Sequence, residues 1–211
     1  RWTTNRFSLL TDNLFVGLDV AWPHGWFDHA AGEFLVGAVG PGGLVVKTLA
    51  RPGQGKLVPL GELNAGWFGP VVAFDAGKGD LFALCTTSGG HVLRAWRGGQ
   101  VVTVGPTPDL TSIAFDPGQG HLVGESSHGT YVLGSAGAWH PLGSSRGWMA
   151  SQPAWHPGLR RLVRLEFDAA QRETMRLACL DDRGWHVTEP ALRLPAVRPR
   201  ASLVALGDEG L

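Results

Sequence analysis

Eight histidines are the first residues in this chain that invite chemistry, because neutral imidazole is a common metal ligand and a ready general base. They stand at His24, His29, His91, His121, His128, His140, His156 and His186. No two have the short spacing that puts a pair on one zinc ion, so no metal or other cofactor is expected. His91 and His128 are the exception worth following, since each comes just after an apolar run and before another. Aspartates recur differently: Asp28, Asp75 and Asp116 each follow a phenylalanine and precede a glycine-rich turn. An aspartate there can accept a hydrogen bond from a backbone N–H two residues on, which makes folding, not catalysis, its expected task. Nine tryptophans complete the inventory. Indoles offer large stacking surfaces, and Trp67 and Trp148 each follow a glycine between apolar runs, in Asn64-Ala65-Gly66-Trp67 and Ser145-Arg146-Gly147-Trp148.

The elements that must position these residues are legible as a repeat. Phe27-Asp28-His29-Ala30-Ala31-Gly32-Glu33 returns as Phe74-Asp75-Ala76-Gly77-Lys78-Gly79-Asp80 and as Phe115-Asp116-Pro117-Gly118-Gln119-Gly120-His121. It returns in worn form as Trp155-His156-Pro157-Gly158-Leu159-Arg160-Arg161. The spacing is 40 to 47 residues, a period that, filled with short apolar runs and glycine turns, marks the blades of a β-propeller. Third-strand segments open at Gly43, Gly90, Gly129 and Glu173. Fourth-strand segments open at Gly55, Gly99, Gly137 and Gly184, each after a tight turn. Pro59 and Pro141 fit an outer edge strand, where a missing N–H costs no ladder bond. Glycine and proline interrupt nearly every window of a dozen residues, so helix is expected nowhere.

These segments predict an all-β chain: one β-propeller domain of four-stranded antiparallel blades over about 15–61, 67–105, 110–143 and 150–189. The segment 1–7 resembles a fourth strand and 200–211 a first strand. Together they predict a fifth, composite blade shared between the two ends, with its two middle strands to be supplied by a further segment or by another chain, the alternative being a larger ring of which this chain is a fragment.

Composition narrows the function. Lysine plus arginine and aspartate plus glutamate are 18 each in 211 residues, so no net field steers the chain to nucleic acid or to an anionic membrane. The longest apolar runs, such as Leu81-Phe82-Ala83-Leu84-Cys85, are far shorter than the roughly 20 residues a spanning helix needs. No membrane insertion is expected. Cys85 and Cys179 lie in apolar strand phrases of different repeats and read as buried thiols with no disulfide; they assign no compartment.

The Phe-Asp-Pro-Gly-x-Gly phrase, followed by a strand carrying Trp or Tyr and then Gly-x-Trp, resembles a degenerate kelch-type repeat, as in the central propeller of galactose oxidase. The Gly-Gly pair that closes the second strand in that family survives as Gly89-Gly90, with a shifted echo at Gly42-Gly43. The resemblance implies four-stranded blades that bind proteins or sugars through loops on one face. Copper radical chemistry needs paired tyrosines, and sialidase-type hydrolysis needs a tyrosine nucleophile beside an arginine cluster. This chain has a single tyrosine, Tyr131, inside a strand phrase.

On that fold the loops bearing His91 and His128 and the crossings bearing Trp67 and Trp148 are expected on one face, with Asn64, Asp109, Arg146 and Arg200 beside them. The expected function is a non-catalytic binding module whose indoles stack on a glycan or anchor a protein. The bland alternative has Trp67 and Trp148 plugging the central channel or wedged between blades, and the histidines as polar turn residues. Two rival functions stand. One is a glycosidase or lactonase with Asp12, Asp109 and Glu62 near the channel mouth. The other is an assembly scaffold, or homo-oligomer, that pairs through the incomplete composite blade.

Overall fold

The computed structural model describes residues 21–28, 33–40, 43–48, 55–58, 61, 63, 65–66, 69–75, 77–143, 148–156, 158–168, 174–187 and 192–193, with side chains placed from position 61 onward over most of these. The chain divides into two compact units, Arg1–Pro106 and Thr107–Leu211. Among the described residues every regular element is a strand.

In the first unit, β1 (Ala21–Asp28), β2 (Glu33–Gly40), β3 (Gly43–Thr48) and β4 (Gly55–Val58) form sheet 1 in sequence order. The two-residue strands β5 (Ala65–Gly66) and β6 (Gly69–Pro70) pair on either side of positions 67 and 68. Sheet 2 is the meander of β7 (Val72–Asp75), β8 (Asp80–Thr87), β9 (Gly90–Arg97) and β10 (Gln100–Pro106). In the second unit, β11 (Ser112–Asp116), β12 (His121–Ser126), β13 (Gly129–Leu133) and β14 (Trp139–Gly143) make sheet 3. Sheet 4 holds β15 (Trp148–Ala150), β16 (Ala154–His156), β17 (Arg161–Asp168), β18 (Thr174–Asp181) and β19 (Gly184–Val187), with β20 (Leu192–Arg193) pairing β18 beside β19.

Burial explains the residue types. β8 is buried continuously from Asp80 to Cys85, whereas β10 is largely exposed. Sheet 3 repeats the gradient from β11 and β12 out to β14. A strand covered on both faces needs an unbroken apolar run, and an outer strand does not. Pro141 accordingly lies in the outermost strand of its sheet, where no N–H is demanded.

The repeated phrase is a hairpin device. Asp75 Oδ1 accepts the N–H of Gly77 at 3.0 Å and of Lys78 at 3.3 Å. Asp116 Oδ1 accepts those of Gly118 at 2.9 Å and Gln119 at 3.1 Å. Gly79 and Gly120 close these turns with φ of 70° and 71°, a conformation that costs glycine nothing. In the worn copy, His156 Nδ1 accepts the N–H of Leu159 at 3.1 Å, and Arg160 takes the glycine position at φ 51°.

Sheet 4 departs from the expected pattern at its first strand. Trp148, expected in a crossing between blades, begins β15 and pairs with Asp168. The strand is cut at Ser151-Gln152-Pro153, because proline cannot donate to the ladder. Ser151 spans the gap: its N–H donates to the Leu165 carbonyl at 2.8 Å, and its hydroxyl accepts the Leu165 N–H at 3.0 Å. The chain then resumes pairing with β17 as β16.

Among the described residues two apolar clusters hold sheets 2, 3 and 4. Val72, Leu81, Ala83 and Cys85 pack with Leu63, Phe74, Val92, Trp96 and Val101 in the first unit. In the second, Ala114 and Val123 of sheet 3 meet Leu162 and Leu180 of sheet 4, with Trp155 and Trp185 against them. Cys85 and Cys179 are buried and share no disulfide, and burial pushes the Cys85 thiol up. No helix among the described residues is long and apolar enough to cross a membrane.

Candidate functional site

Of the residues singled out for binding, Asn64, Trp67, Arg146 and Arg200 lie outside the described residues, as do Asp12 and Glu62 and both halves of the expected composite blade. Trp148 is placed by its backbone alone. His91 is half-buried on β9 opposite Thr86. Asp109 is exposed in the bend before β11. His128 is exposed in the β12–β13 turn, its N–H donating to Ser126 Oγ at 3.0 Å.

His91 and His128 are not counterparts. The pairs Thr87↔Gly90 and Ser126↔Gly129 close equivalent turns, and each is pinned by a hydroxyl donating to the glycine carbonyl, at 2.9 Å and 3.3 Å. His128 therefore matches Gly89, while His91 matches Thr130. The offset of two residues moves His91 out of the turn and into a strand.

What the structure does bring together is a set of charges that the sequence reading passed over. Glu125 projects from β12, Arg164 and Glu166 from β17, and Arg176 from β18. Register explains the arrangement. Leu81 and Leu162 occupy matching places opposite Phe74 and Trp155, so Arg164 and Glu166 stand where sheet 2 has Ala83 and Cys85. Strand residues two apart share a face, and that face is the layer between sheets 3 and 4.

Arg164 is 1% exposed. Its Nη1 donates to Glu125 Oε2 at 2.7 Å, and its Nε and Nη2 both donate to Glu166 Oε1, at 3.0 and 2.5 Å. Glu166 Oε2 takes the Arg176 Nε at 2.7 Å and Nη2 at 2.6 Å. Glu125 also accepts Trp185 Nε1–H on Oε1 at 2.7 Å and the Thr130 hydroxyl on Oε2 at 3.2 Å. The Arg164 guanidinium lies 4.2 Å from the Trp185 ring centroid, an attractive contact of cation with π face.

Two carboxylates thus face two guanidiniums, and both oxygens of each carboxylate are occupied. Burial pushes the Glu125 carboxyl above its ordinary value, against the pull of Arg164 and of the Trp185 and Thr130 hydrogen bonds. Among the described residues the set neutralises itself, each carboxylate being paired with a guanidinium. Other carboxylates are engaged likewise: Asp75 and Asp116 in their turns, Asp80 with Arg97 at 2.6 Å, and Asp181 with the Arg183 N–H and His186. Among the described residues no three His, Cys, Asp or Glu side chains are grouped to hold a metal ion.

One signal in the sequence marks the charge set: Glu125 ends an apolar strand phrase, and Arg164 and Glu166 interrupt another at alternate positions. Opposite charges two apart in an inner strand share a buried face and must be neutralised.

No known protein family matches the sequence, and no curated protein resembles it in sequence. Solved structures do share the fold. TolB from Acinetobacter baumannii superposes with a TM-score of 0.58 at 11% identity, over 85% of this chain and 45% of that one. A structure from a nidogen/laminin complex gives 0.57 at 13% identity, over 83% of this chain and 66% of that one. The chain spans less than two thirds of either. Both are β-propellers, and the four-stranded antiparallel meanders described above are their blades, so this all-β chain has the β-propeller fold.

Proposed function

We propose that the chain is a binding module: a five-bladed, kelch-like propeller that presents one loop face to a protein or glycan. Asn64, Trp67, His91, Asp109, His128, Arg146, Trp148 and Arg200 supply that face, with the indoles as anchors. The observation that supports this reading over hydrolysis is the engagement of Asp75, Asp80, Asp116, Glu125, Glu166 and Asp181. A glycosidase needs two carboxyl groups flanking a scissile bond. Here Glu125 and Glu166 flank only Arg164, and the turn aspartates are held by backbone N–H groups. A protein is favoured over a glycan because one of the fold's solved examples comes from a nidogen/laminin complex.

The test is binding by the intact chain to an immobilised peptide library and to an oligosaccharide panel. Trp67→Ala and Trp148→Ala should each weaken capture at least tenfold while leaving the circular dichroism unchanged. Turnover of chromogenic glycosides or lactones by the wild type, abolished in Asp109→Asn, would replace this reading with a hydrolase.

A further inference from the structure

In the charge set between sheets 3 and 4, a single proton on Glu125 changes the bonds that cross from one sheet to the other. Ionised Glu125 is acceptor-only, and its three donors, Arg164 Nη1, Trp185 Nε1–H and the Thr130 hydroxyl, fill both oxygens. A proton on Oε1 would confront the indole N–H, donor against donor. On Oε2 it has an outlet, because the Thr130 hydroxyl can rotate and accept it, but the oxygen then faces a guanidinium it no longer attracts as a charge. Arg164 need not follow. Its Nε and Nη2 stay on Glu166 Oε1, and Glu166 stays on Arg176.

We propose that Glu125 is the proton-operated catch of a latch between two blades: when it takes a proton it releases Arg164, and sheet 3 loses its ionic tie to sheet 4 while each sheet keeps its own bonds. The division of contacts carries this inference. Arg164 Nη1 and Trp185 Nε1–H both cross from sheet 4 to the same carboxylate of sheet 3. The other described ionic bonds of the set, Arg164 to Glu166 and Arg176 to Glu166, lie within sheet 4. Among the described residues the charged groups facing Glu125 are Arg164 and Glu166 from β17, with Arg176 of β18 behind Glu166. β13 contributes only Thr130 and β19 only Trp185, neither of them ionised. Burial, which favours the neutral acid, makes Glu125 take up its proton more readily than an ordinary glutamate does.

Trp185 reports the event, since its indole proton sits on the titrating carboxylate. In the full-length chain, the Trp185 indole resonance, assigned with Trp185→Phe, should move on acidification with a one-proton profile. The Glu125 side-chain carbonyl carbon should follow the same midpoint, above that of an ordinary glutamate, with the far-ultraviolet circular dichroism constant throughout. Glu125→Gln should flatten the indole titration. An indole resonance that stays fixed until global unfolding, or one that titrates unchanged in Glu125→Gln, would overturn the proposal. The carbonyl measurement on the wild type decides the matter even if that variant does not fold: a Glu125 midpoint at or below the ordinary value would equally overturn it.

Discussion

Arg160 occupies, at φ 51°, the backbone position that Gly120 holds at φ 71°, four residues after the side chain that anchors each turn. The left-handed conformation costs an ordinary residue about 1–2 kcal/mol that glycine does not pay. Arg160→Gly should therefore stabilise the protein by about 0.5–1 kcal/mol, after the larger entropy of glycine in the unfolded chain is subtracted. Gly120→Ala should cost about 1 kcal/mol. Thermal midpoints should move up and down by about 2–4 °C in a chain of this size. A midpoint that falls on Arg160→Gly would mean that the arginine side chain contributes more than its backbone strain removes.

The turn before Arg160 is also anchored more weakly than its relatives. His156 Nδ1 takes one N–H, from Leu159, where Asp116 Oδ1 takes two. His156→Asp should recover the second acceptor contact, from Gly158, and the stronger bond of an ionised acceptor. The expected gain is about 0.5–1 kcal/mol at neutral pH, and Asp116→His should lose a similar amount. Chemical denaturation of the pair checks both signs.

Gly118 is required for space rather than for backbone freedom. A methyl group there would stand 2.7 Å from Trp155 Cη2 and 3.2 Å from Asp116 Oδ1. Trp155 belongs to the layer between sheets 3 and 4, so the indole must move within packed surroundings. Gly118→Ala should cost about 1–3 kcal/mol, typical of overpacking. The penalty should shrink in a Trp155→Phe background, and an equal penalty in both backgrounds would locate the clash elsewhere.

These turns explain why the fold was legible in the sequence. An Asp-capped hairpin with a left-handed glycine needs particular residues at fixed offsets, so Phe115-Asp116-Pro117-Gly118-Gln119-Gly120 announces its structure locally, and even Trp155-His156 keeps the frame. The charge set was not legible in the same way. Arg164 and Glu125 are 39 positions apart and meet only because two sheets pack, and no local spacing encodes that meeting. Trp148 misled for a related reason: the glycine before it suggested a crossing, whereas pairing with Asp168 on β17 makes it a strand residue. His91 and His128 looked equivalent because both follow second strands, and only the hairpin register shows them two residues out of step.

Removing the centre of the charge set should be far more harmful than removing the whole. Arg164→Met leaves Glu125 and Glu166 facing each other in a layer where Glu125 is 7% and Glu166 3% exposed. Breaking such a buried pair from one side costs about 3–5 kcal/mol, whereas apolar replacement of all members is often neutral. Arg164→Met should lower the thermal midpoint by about 10 °C, and adding Glu125→Leu and Glu166→Leu should recover most of that loss, with Arg176 turning to solvent. Independent, additive effects would show that the three side chains do not act as one unit.

Acid should reveal Glu125 through the sign of its contribution. Burial holds its folded carboxyl above the ordinary value, outweighing Arg164. A glutamate raised in the folded state binds its proton more tightly there than in the unfolded chain, so its contribution to stability grows as pH falls. That contribution is complete below the unfolded value of about 4.3 and is lost as pH rises through the folded one. Compared with Glu125→Gln, which does not titrate, the wild type should gain unfolding free energy on acidification across that window. The difference should be largest at its lower edge and smallest near neutrality. Paired urea titrations at several pH values measure it. A difference that shrinks on acidification would mean that Arg164 governs Glu125 and that the carboxylate, not the acid, is the form the folded protein prefers.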